Sequence, residues 1–109
     1  MKEPSQVSQG PSWTPLKEVV IVTEPALEAR LMEAVARSGG KRMTVVAAHG
    51  RGLTGDGGAD VSGQLVRIEC VCTAEVADRI AKAIQNRFFA KYDVFVAMTD
   101  VQVLRPDKF

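Results

Sequence analysis

The chain has 109 residues, of which 46% are hydrophobic and 25% are charged, a composition typical of one small globular domain with a single core. Its net charge of +1 argues against a nucleic-acid partner, and no apolar run approaches the roughly 20 residues that span a bilayer. The N-terminus has no apolar signal core, and Cys70 and Cys72 have no further cysteine to pair with, so we expect a reducing, cytoplasmic setting.

The first half of the chain predicts a tail, a strand and a helix. Residues 1–15 are rich in Ser, Gln, Pro and Gly, which predicts a flexible tail. Residues 16–23 are rich in β-branched side chains and predict a strand. A helix follows, with Thr23 as its expected N-cap and Gly39-Gly40 after its end. The apolar stripe of this helix is formed by Leu27, Leu31, Ala34 and Val35.

The second half predicts three strands and one helix. Strands are expected over residues 42–49, 64–73 and 92–104, with a glycine-rich loop over 50–63 between the first two. Thr73 is the expected N-cap of the second helix. One face of the strand over residues 64–73 is apolar and consists of Val66, Ile68, Cys70 and Cys72. The apolar stripe of the second helix is formed by Val76, Ala77, Ile80, Ile84 and Phe88.

The glycine-rich loop is the part of the sequence best suited to a binding site. Residues 50–55 read G-x-G-x-x-G, but Asp56-Gly57-Gly58 cannot begin the helix that a dinucleotide fingerprint requires. We therefore expect the loop to work through its backbone amides. Arg51, between two glycines, is either a mobile surface residue or part of an anion cradle, and we favour the cradle.

The order of elements, strand-helix-strand-strand-helix-strand, predicts an α+β domain of the ferredoxin-like βαββαβ type over residues 16–109. Such a domain has an antiparallel four-stranded sheet with both helices on one face. A sheet covered on one face alternates apolar and polar residues, but residues 19–22 and 94–98 are apolar on both faces. A second copy of the chain would cover the helix-free face, so we predict a homo-oligomer.

Several motifs in this order resemble the PII signal-transduction family. They are Met43-Thr44-Val45, Gly50-x-Gly52, Val66-Arg67-Ile68-Glu69 and the segment from Asp100 to Arg105. The resemblance covers about residues 16–105, nearly the whole domain. It implies a non-catalytic homotrimer with nucleotide in clefts between subunits, and a regulatory T-loop between the second and third strands.

The sequence departs from the usual pattern of that family at three places, and these departures indicate one branch of it. Residues 50–63 contain no tyrosine, residues 87–92 replace a basic glycine-rich segment, and Asp107 stands near the position of a second C-terminal arginine. These features resemble the PII-like branch linked to inorganic-carbon uptake. That resemblance implies adenine-nucleotide binding, bicarbonate as a further ligand, and a carboxysome-linked protein or bicarbonate transporter as the partner of the T-loop. Because Asp107 and the missing basic segment leave fewer cations for the outermost phosphate of ATP, we expect ADP or AMP to bind in preference to ATP.

The resemblance also implies which residues bind. Arg105 would offer a guanidinium fork to phosphate. Arg67 and Glu69 form either ligand contacts or an ion pair at a subunit interface. We expect Cys70 and Cys72 to pack in the core rather than to bind a metal. The expected nucleotide contacts are Thr44, Gly50, Arg51, Gly52, Arg67, Glu69, Lys91 and Arg105, and Arg51, Gly52 and Lys91 are also the candidates for bicarbonate.

Other functions remain open for this fold. An acylphosphatase-like enzyme needs an arginine in the turn after the first strand, where this chain has Thr23-Glu24-Pro25. An RNA-binding module stacks bases on sheet aromatics, and residues 65–72 contain none. A trimeric divalent-cation-tolerance protein would share the architecture without binding nucleotide. We expect a regulatory sensor with no catalytic residue, catalytic cofactor or metal site.

Overall fold

A computed structural model describes residues 10–51 and 63–109. The expected tail falls mostly on residues 1–9, and most of the glycine-rich loop falls on 52–62; both lie outside the described residues. The elements are β1 (Thr14–Thr23), α1 (Glu28–Arg37), β2 (Thr44–His49), β3 (Gln64–Cys72), α2 (Ala74–Arg87) and β4 (Phe95–Val103), with short 3₁₀ turns at Pro25–Leu27 and Pro106–Lys108.

The four strands form one antiparallel sheet in the order β2-β3-β1-β4. The βαββαβ order and this topology confirm the ferredoxin-like prediction. In the register, Ile21 lies opposite Ile68 on one side and Val96 on the other, so these three residues share a face. That face packs under both helices. The expected stripes of α1 and α2 are confirmed: apart from the partly buried Val76, every apolar position named for the two helices is buried.

The strand bounds differ from the sequence-based ones by one to three residues at five places. β2 begins at Thr44 rather than residue 42, β3 ends at Cys72 rather than residue 73, and β4 ends at Val103 rather than residue 104. β1 begins at Thr14 rather than residue 16, because Thr14 and Pro15 already pair with the end of β4. β4 begins at Phe95 rather than residue 92. The chain between α2 and β4 is still turning there, and the backbone amides of Lys91 and Tyr92 both donate to the Phe88 carbonyl.

One of the two expected N-caps is confirmed and the other is wrong. The Thr73 hydroxyl accepts a hydrogen bond from the amide of Val76 at 3.2 Å, as an N-cap does. Thr23 caps nothing, because it is still part of β1, paired with Val66 and fully buried. Its hydroxyl has no hydrogen-bond partner among the described residues. Pro25 opens the next turn without a side-chain cap.

The helix-free face of the sheet carries apolar side chains, as the doubly apolar runs predicted. Val20 and Val22 lie on this face opposite Ala97 and Phe95. Phe95 is 50% exposed and Val46, on β2, is 43% exposed. No helix of the described residues has the length and apolarity needed to cross a membrane.

Candidate functional site

The expected nucleotide contacts fall on three parts of the molecule. The first part is the end of the sheet from which the glycine-rich loop leaves. His49 and Gln64 form the last residue pair of β2 and β3, and the Gly50 amide donates to the Gly63 carbonyl at 3.1 Å. This bond closes the base of the loop. Arg51 follows in an exposed position, whereas Gly52 lies outside the described residues.

A cavity of about 550 Å³ opens at this loop end. Its volume lies within the range of small-molecule pockets. The walls come from the 3₁₀ turn after β1 and from the last residues of β2 with the first of β3. The lining residues are Pro25, Ala47, Ala48, His49, Gln64, Leu65 and Val66.

The second part lies in the middle of the helix-free face. Thr44 pairs with Glu69, and Arg67 lies two residues before Glu69 on the same face, opposite to Ile68. The Arg67 Nε donates to a carboxylate oxygen of Glu69 at 2.6 Å. Within the single chain, the two side chains therefore form an ion pair with each other. Both side chains keep exposed area, so a ligand or a second subunit can still reach them.

The third part is Arg105, at the opposite end of the sheet. β4 is nine residues long and starts beside the loop end, so Arg105 lies roughly 30 Å away from that end. Arg105 has a left-handed backbone with φ of 55°, the only non-glycine residue among those described with positive φ. This conformation turns the chain out of β4 into the 3₁₀ turn of residues 106–108.

Sequence reasoning missed two contacts around these parts. The Phe109 ring packs under the guanidinium of Arg42, with 5.8 Å from the guanidinium carbon to the ring centroid. Arg30 of α1 lies over the ring of Tyr92 at 5.0 Å. In each pair the two residues are far apart in the chain, so no local spacing in the sequence could have signalled either contact.

Lys91 lies in the turn after α2, at the same end of the sheet as the loop base. It lines a smaller cavity together with Arg30 and Arg87. Of the expected contacts, Gly50, Arg51 and Lys91 thus lie at one end of the sheet, with Gly50 and Arg51 after the edge strand β2 and Lys91 before the opposite edge strand β4. Arg105 does not lie near them within one chain.

Cys70 and Cys72 are buried in the core, as expected. Burial raises the pKa of the Cys70 thiol to about 11, and the neighbouring Cys72 contributes to the same rise. Burial also raises the pKa of Cys72. Both are therefore protonated near neutral pH, whereas metal ligation requires the thiolate. Within residues 10–51 and 63–109, no group of three or more metal-ligating side chains gathers.

The fold and these sites can be compared with known proteins. The family model of nitrogen regulatory protein P-II matches residues 16–108. No curated protein matches the chain. Among solved structures, a protein of Thermus thermophilus described as a PII-like signalling protein is 40% identical, with a TM-score of 0.77; the match covers 90% of this chain and 98% of that one.

A second relative is CPII of Thiomonas intermedia. Its complex with ADP and bicarbonate is 28% identical to this chain, with a TM-score of 0.77 and coverage of 90% and 97% of the two chains. Its complex with ADP, AMP and acetate is 27% identical, with a TM-score of 0.78 and the same coverage. With a family model spanning almost the whole domain and a relative at 40% identity, the chain belongs to the P-II family of nitrogen regulatory proteins.

Proposed function

We propose that this chain is a non-catalytic sensor of the cytoplasm that binds ADP or AMP in clefts between the subunits of a homotrimer. Bicarbonate is the second ligand, and the two ligands act by ordering the loop between β2 and β3. The loop then contacts a partner, a bicarbonate transporter or a carboxysome-linked protein, in the assimilation of inorganic carbon.

The separation of the candidate residues along β4 is the observation that carries this proposal. Gly50, Arg51 and Lys91 lie at one end of the sheet, and Arg105 lies at the other, roughly 30 Å away. A nucleotide cannot span that distance. One site can include both groups only if Arg105 comes from a second copy of the chain, which is the arrangement of a cleft between subunits.

The choice of ligands rests on the relatives. CPII has been solved with ADP and bicarbonate and with ADP, AMP and acetate. In this chain Arg105 would contact the nucleotide phosphates through its guanidinium fork. Arg51 and Lys91 would also contact the phosphates, and together with the amide of Gly52 they would hold bicarbonate next to the nucleotide. Thr44, Arg67 and Glu69 would contact the nucleotide from the helix-free face.

A complementation experiment tests whether the site is shared between copies. Arg105→Ala and Arg51→Ala should each weaken ADP binding, by about 1.5–3 kcal/mol for the loss of a charge-assisted contact. Co-expressing the two variants lets the intact Arg51 of one copy meet the intact Arg105 of another. We expect tight ADP binding to return in a minority of sites, measured by calorimetry on the mixed assembly.

The matched control is Arg37→Ala, which removes an exposed arginine that is paired with Glu33 on the outer surface of α1. ADP affinity should be unchanged in this variant. If Arg105→Ala alone binds ADP as tightly as the parent, the phosphate role of Arg105 is wrong. If both single variants are weak but the mixed assembly shows no recovery, the site lies within one chain.

Bicarbonate coupling has a separate measurement. If bicarbonate and ADP bind side by side and order the same loop, each must raise the affinity of the other by the same factor. We expect ADP to bind more tightly in bicarbonate than in chloride at equal pH and ionic strength, by calorimetry. An ADP affinity that does not change would reject bicarbonate as the second ligand while leaving nucleotide binding in place.

The same titrations separate the alternatives. A protein similar to the divalent-cation-tolerance trimers would keep the assembly but bind no ADP. An acylphosphatase-like enzyme needs an arginine in the turn after β1, whereas this turn consists of Glu24 and the 3₁₀ turn Pro25–Leu27. Turnover of acyl phosphate by the purified chain would favour that enzyme over the sensor.

A further inference from the structure

The segment that follows β4 runs towards the other edge of the sheet. β4 and β2 are the two edge strands, and three strand spacings put roughly 14 Å between them. After β4 the chain passes through Arg105 and the 3₁₀ turn Pro106–Lys108 to Phe109, whose ring lies beside Arg42, two residues before β2. Residues 104–108 are exposed, whereas Phe109 is partly buried again. The segment is therefore attached to the rest of the molecule at both of its ends.

The contact at the far end joins a cation and an aromatic ring. The guanidinium carbon of Arg42 lies 5.8 Å from the centroid of the Phe109 ring. Cation–π contacts within about 6 Å are attractive. No ion pair within residues 10–51 and 63–109 includes Arg42, so no carboxylate in this part of the chain competes with the ring for the guanidinium group.

The turn between the two attachments contains the left-handed residue Arg105. Its φ of 55° and ψ of 57° are less favourable for a residue with a Cβ than for glycine. Two hydrogen bonds close the turn: the Lys108 amide donates to the Arg105 carbonyl and the Phe109 amide donates to the Pro106 carbonyl, each at 3.1 Å. Because the turn is exposed, water competes for both bonds. The attachment of Phe109 therefore stabilises the turn, and the turn determines the direction in which the Arg105 side chain leaves β4.

We propose that Phe109, through its contact with Arg42, is a positioning residue for Arg105. The inference rests on the proposed function, in which Arg105 contacts the nucleotide phosphates. A side chain that already points towards its ligand loses less conformational freedom on binding than one that must be ordered. The contact between Phe109 and Arg42 provides this order before the nucleotide arrives, and neither residue has to touch the ligand.

Calorimetry with ADP on Phe109→Ala measures the effect of the contact. We expect the affinity to fall roughly two- to tenfold, because one long side chain and its turn must now be ordered during binding. Phe109→Trp keeps a ring for the guanidinium group and should bind ADP as the parent does. When Arg105→Ala is already present, Phe109→Ala should lower the affinity no further, since the side chain that it positions is gone.

Arg42→Gln removes the other member of the contact. It should weaken ADP binding as much as Phe109→Ala does, and the two changes together should weaken it no more than either alone. Arg37→Gln is the matched control, because it removes an exposed arginine that is paired with Glu33 on α1, and it should leave ADP affinity unchanged. A loss in Arg42→Gln that persists in the Arg105→Ala background would make Arg42 a direct ligand contact and overturn the positioning role.

A measurement without nucleotide separates this inference from the proposed function. NMR relaxation of the Asp107 and Lys108 amides reports the picosecond-to-nanosecond motion of the turn. We expect ordered amides in the parent and in Phe109→Trp, and mobile ones in Phe109→Ala and Arg42→Gln. If the parent binds no ADP, the proposed function fails, whereas loss of order in these two variants still shows that the ring holds the turn that carries Arg105.

Three results would overturn the inference. The first is a turn that is as well ordered in Phe109→Ala as in the parent. The second is a Phe109→Ala variant that binds ADP as tightly as the parent. The third is a variant that binds ADP more tightly, which would mean that Phe109 blocks the site instead of positioning Arg105.

Discussion

At the residue scale, the C-terminal turn combines charges of opposite sign. Arg105 leaves β4 in a left-handed conformation, and Asp107 follows two residues later in the same 3₁₀ turn. Both residues are exposed. A carboxylate this close to the arginine that is proposed to bind phosphate opposes additional negative charge on the ligand. This is the electrostatic reason to expect ADP or AMP in preference to ATP.

The charge argument predicts the effect of Asp107→Asn. Removing the carboxylate should improve ATP affinity relative to ADP by about fivefold, which corresponds to about 1 kcal/mol for one charge pair in a solvated setting. Competition of ATP against a labelled ADP analogue measures the ratio. Asp78→Asn, an exposed change on α2, is the control. A parent protein that prefers ATP from the outset would refute the argument about Asp107.

At the element scale, the end of α1 depends on a close approach that only glycine allows. The Gly40 amide donates to the Val35 carbonyl at 2.9 Å after Gly39 has turned the chain with φ of 109°. A Cβ at position 40 would lie 2.5 Å from a methyl carbon of Val35 and 2.9 Å from the sulfur of Cys70. The backbone here packs directly on the core.

We therefore expect Gly40→Ala to lower the free energy of unfolding by on the order of 1–3 kcal/mol, because the added methyl must displace buried neighbours. Urea denaturation followed by circular dichroism measures it. Ala36→Ser, on the exposed face of the same helix, should stay within about 0.5 kcal/mol of the parent. Equal stability of Gly40→Ala and the parent would mean that Val35 and Cys70 can move aside at no cost.

The sequence predicts an element correctly where the interactions that decide it join residues close together in the chain. Helix stripes and the Thr73 cap depend on residues three or four positions apart, and these predictions are confirmed. Thr23 has the same local pattern as Thr73, but strand pairing with Val66 keeps it in β1 and removes it from the cap. The start of β1 was missed because only β4, near the other end of the chain, pairs with Thr14.

The candidate site was predicted less well, for a related reason. Motif order indicated which residues to consider, but not that β4 separates Arg105 from Gly50 and Arg51. The position of Arg30 depends on the rings of Phe88 and Tyr92, which a different part of the chain provides. Such contacts arise from packing of the helices on the sheet and leave no pattern along the sequence.

At the scale of the whole molecule, the helix-free face is the surface that an assembly would cover. Phe95→Asp places a charge on this face, beside Val22. An unpaired charge buried in an interface costs several kcal/mol, so we expect this variant to be monomeric at micromolar concentration where the parent is trimeric. Light scattering coupled to size-exclusion chromatography measures the mass. A charge at Val96 would not test this interface, because Val96 lies opposite Ile21 on the face of the sheet that packs against the helices.

Phe89→Asp is the matched control for that variant. Phe89 is 49% exposed, close to the 50% of Phe95, but it lies in the turn after α2 rather than on the sheet. It should leave the mass unchanged. A parent chain that has the mass of one copy at micromolar concentration would contradict the assembly, and with it the shared nucleotide site.

The length of β4 has a consequence for how such a sensor would respond inside a cell. If Arg105 and Arg51 act together only across a boundary between copies, then dilution that separates the copies also destroys the site, and ligand that fills the site favours the joined state. Apparent affinity then rises with the abundance of the chain itself. Occupancy of the site would then depend on the concentration of the nucleotide and also on the concentration of the protein. A change in gene dosage would therefore shift the response even at a constant adenylate concentration.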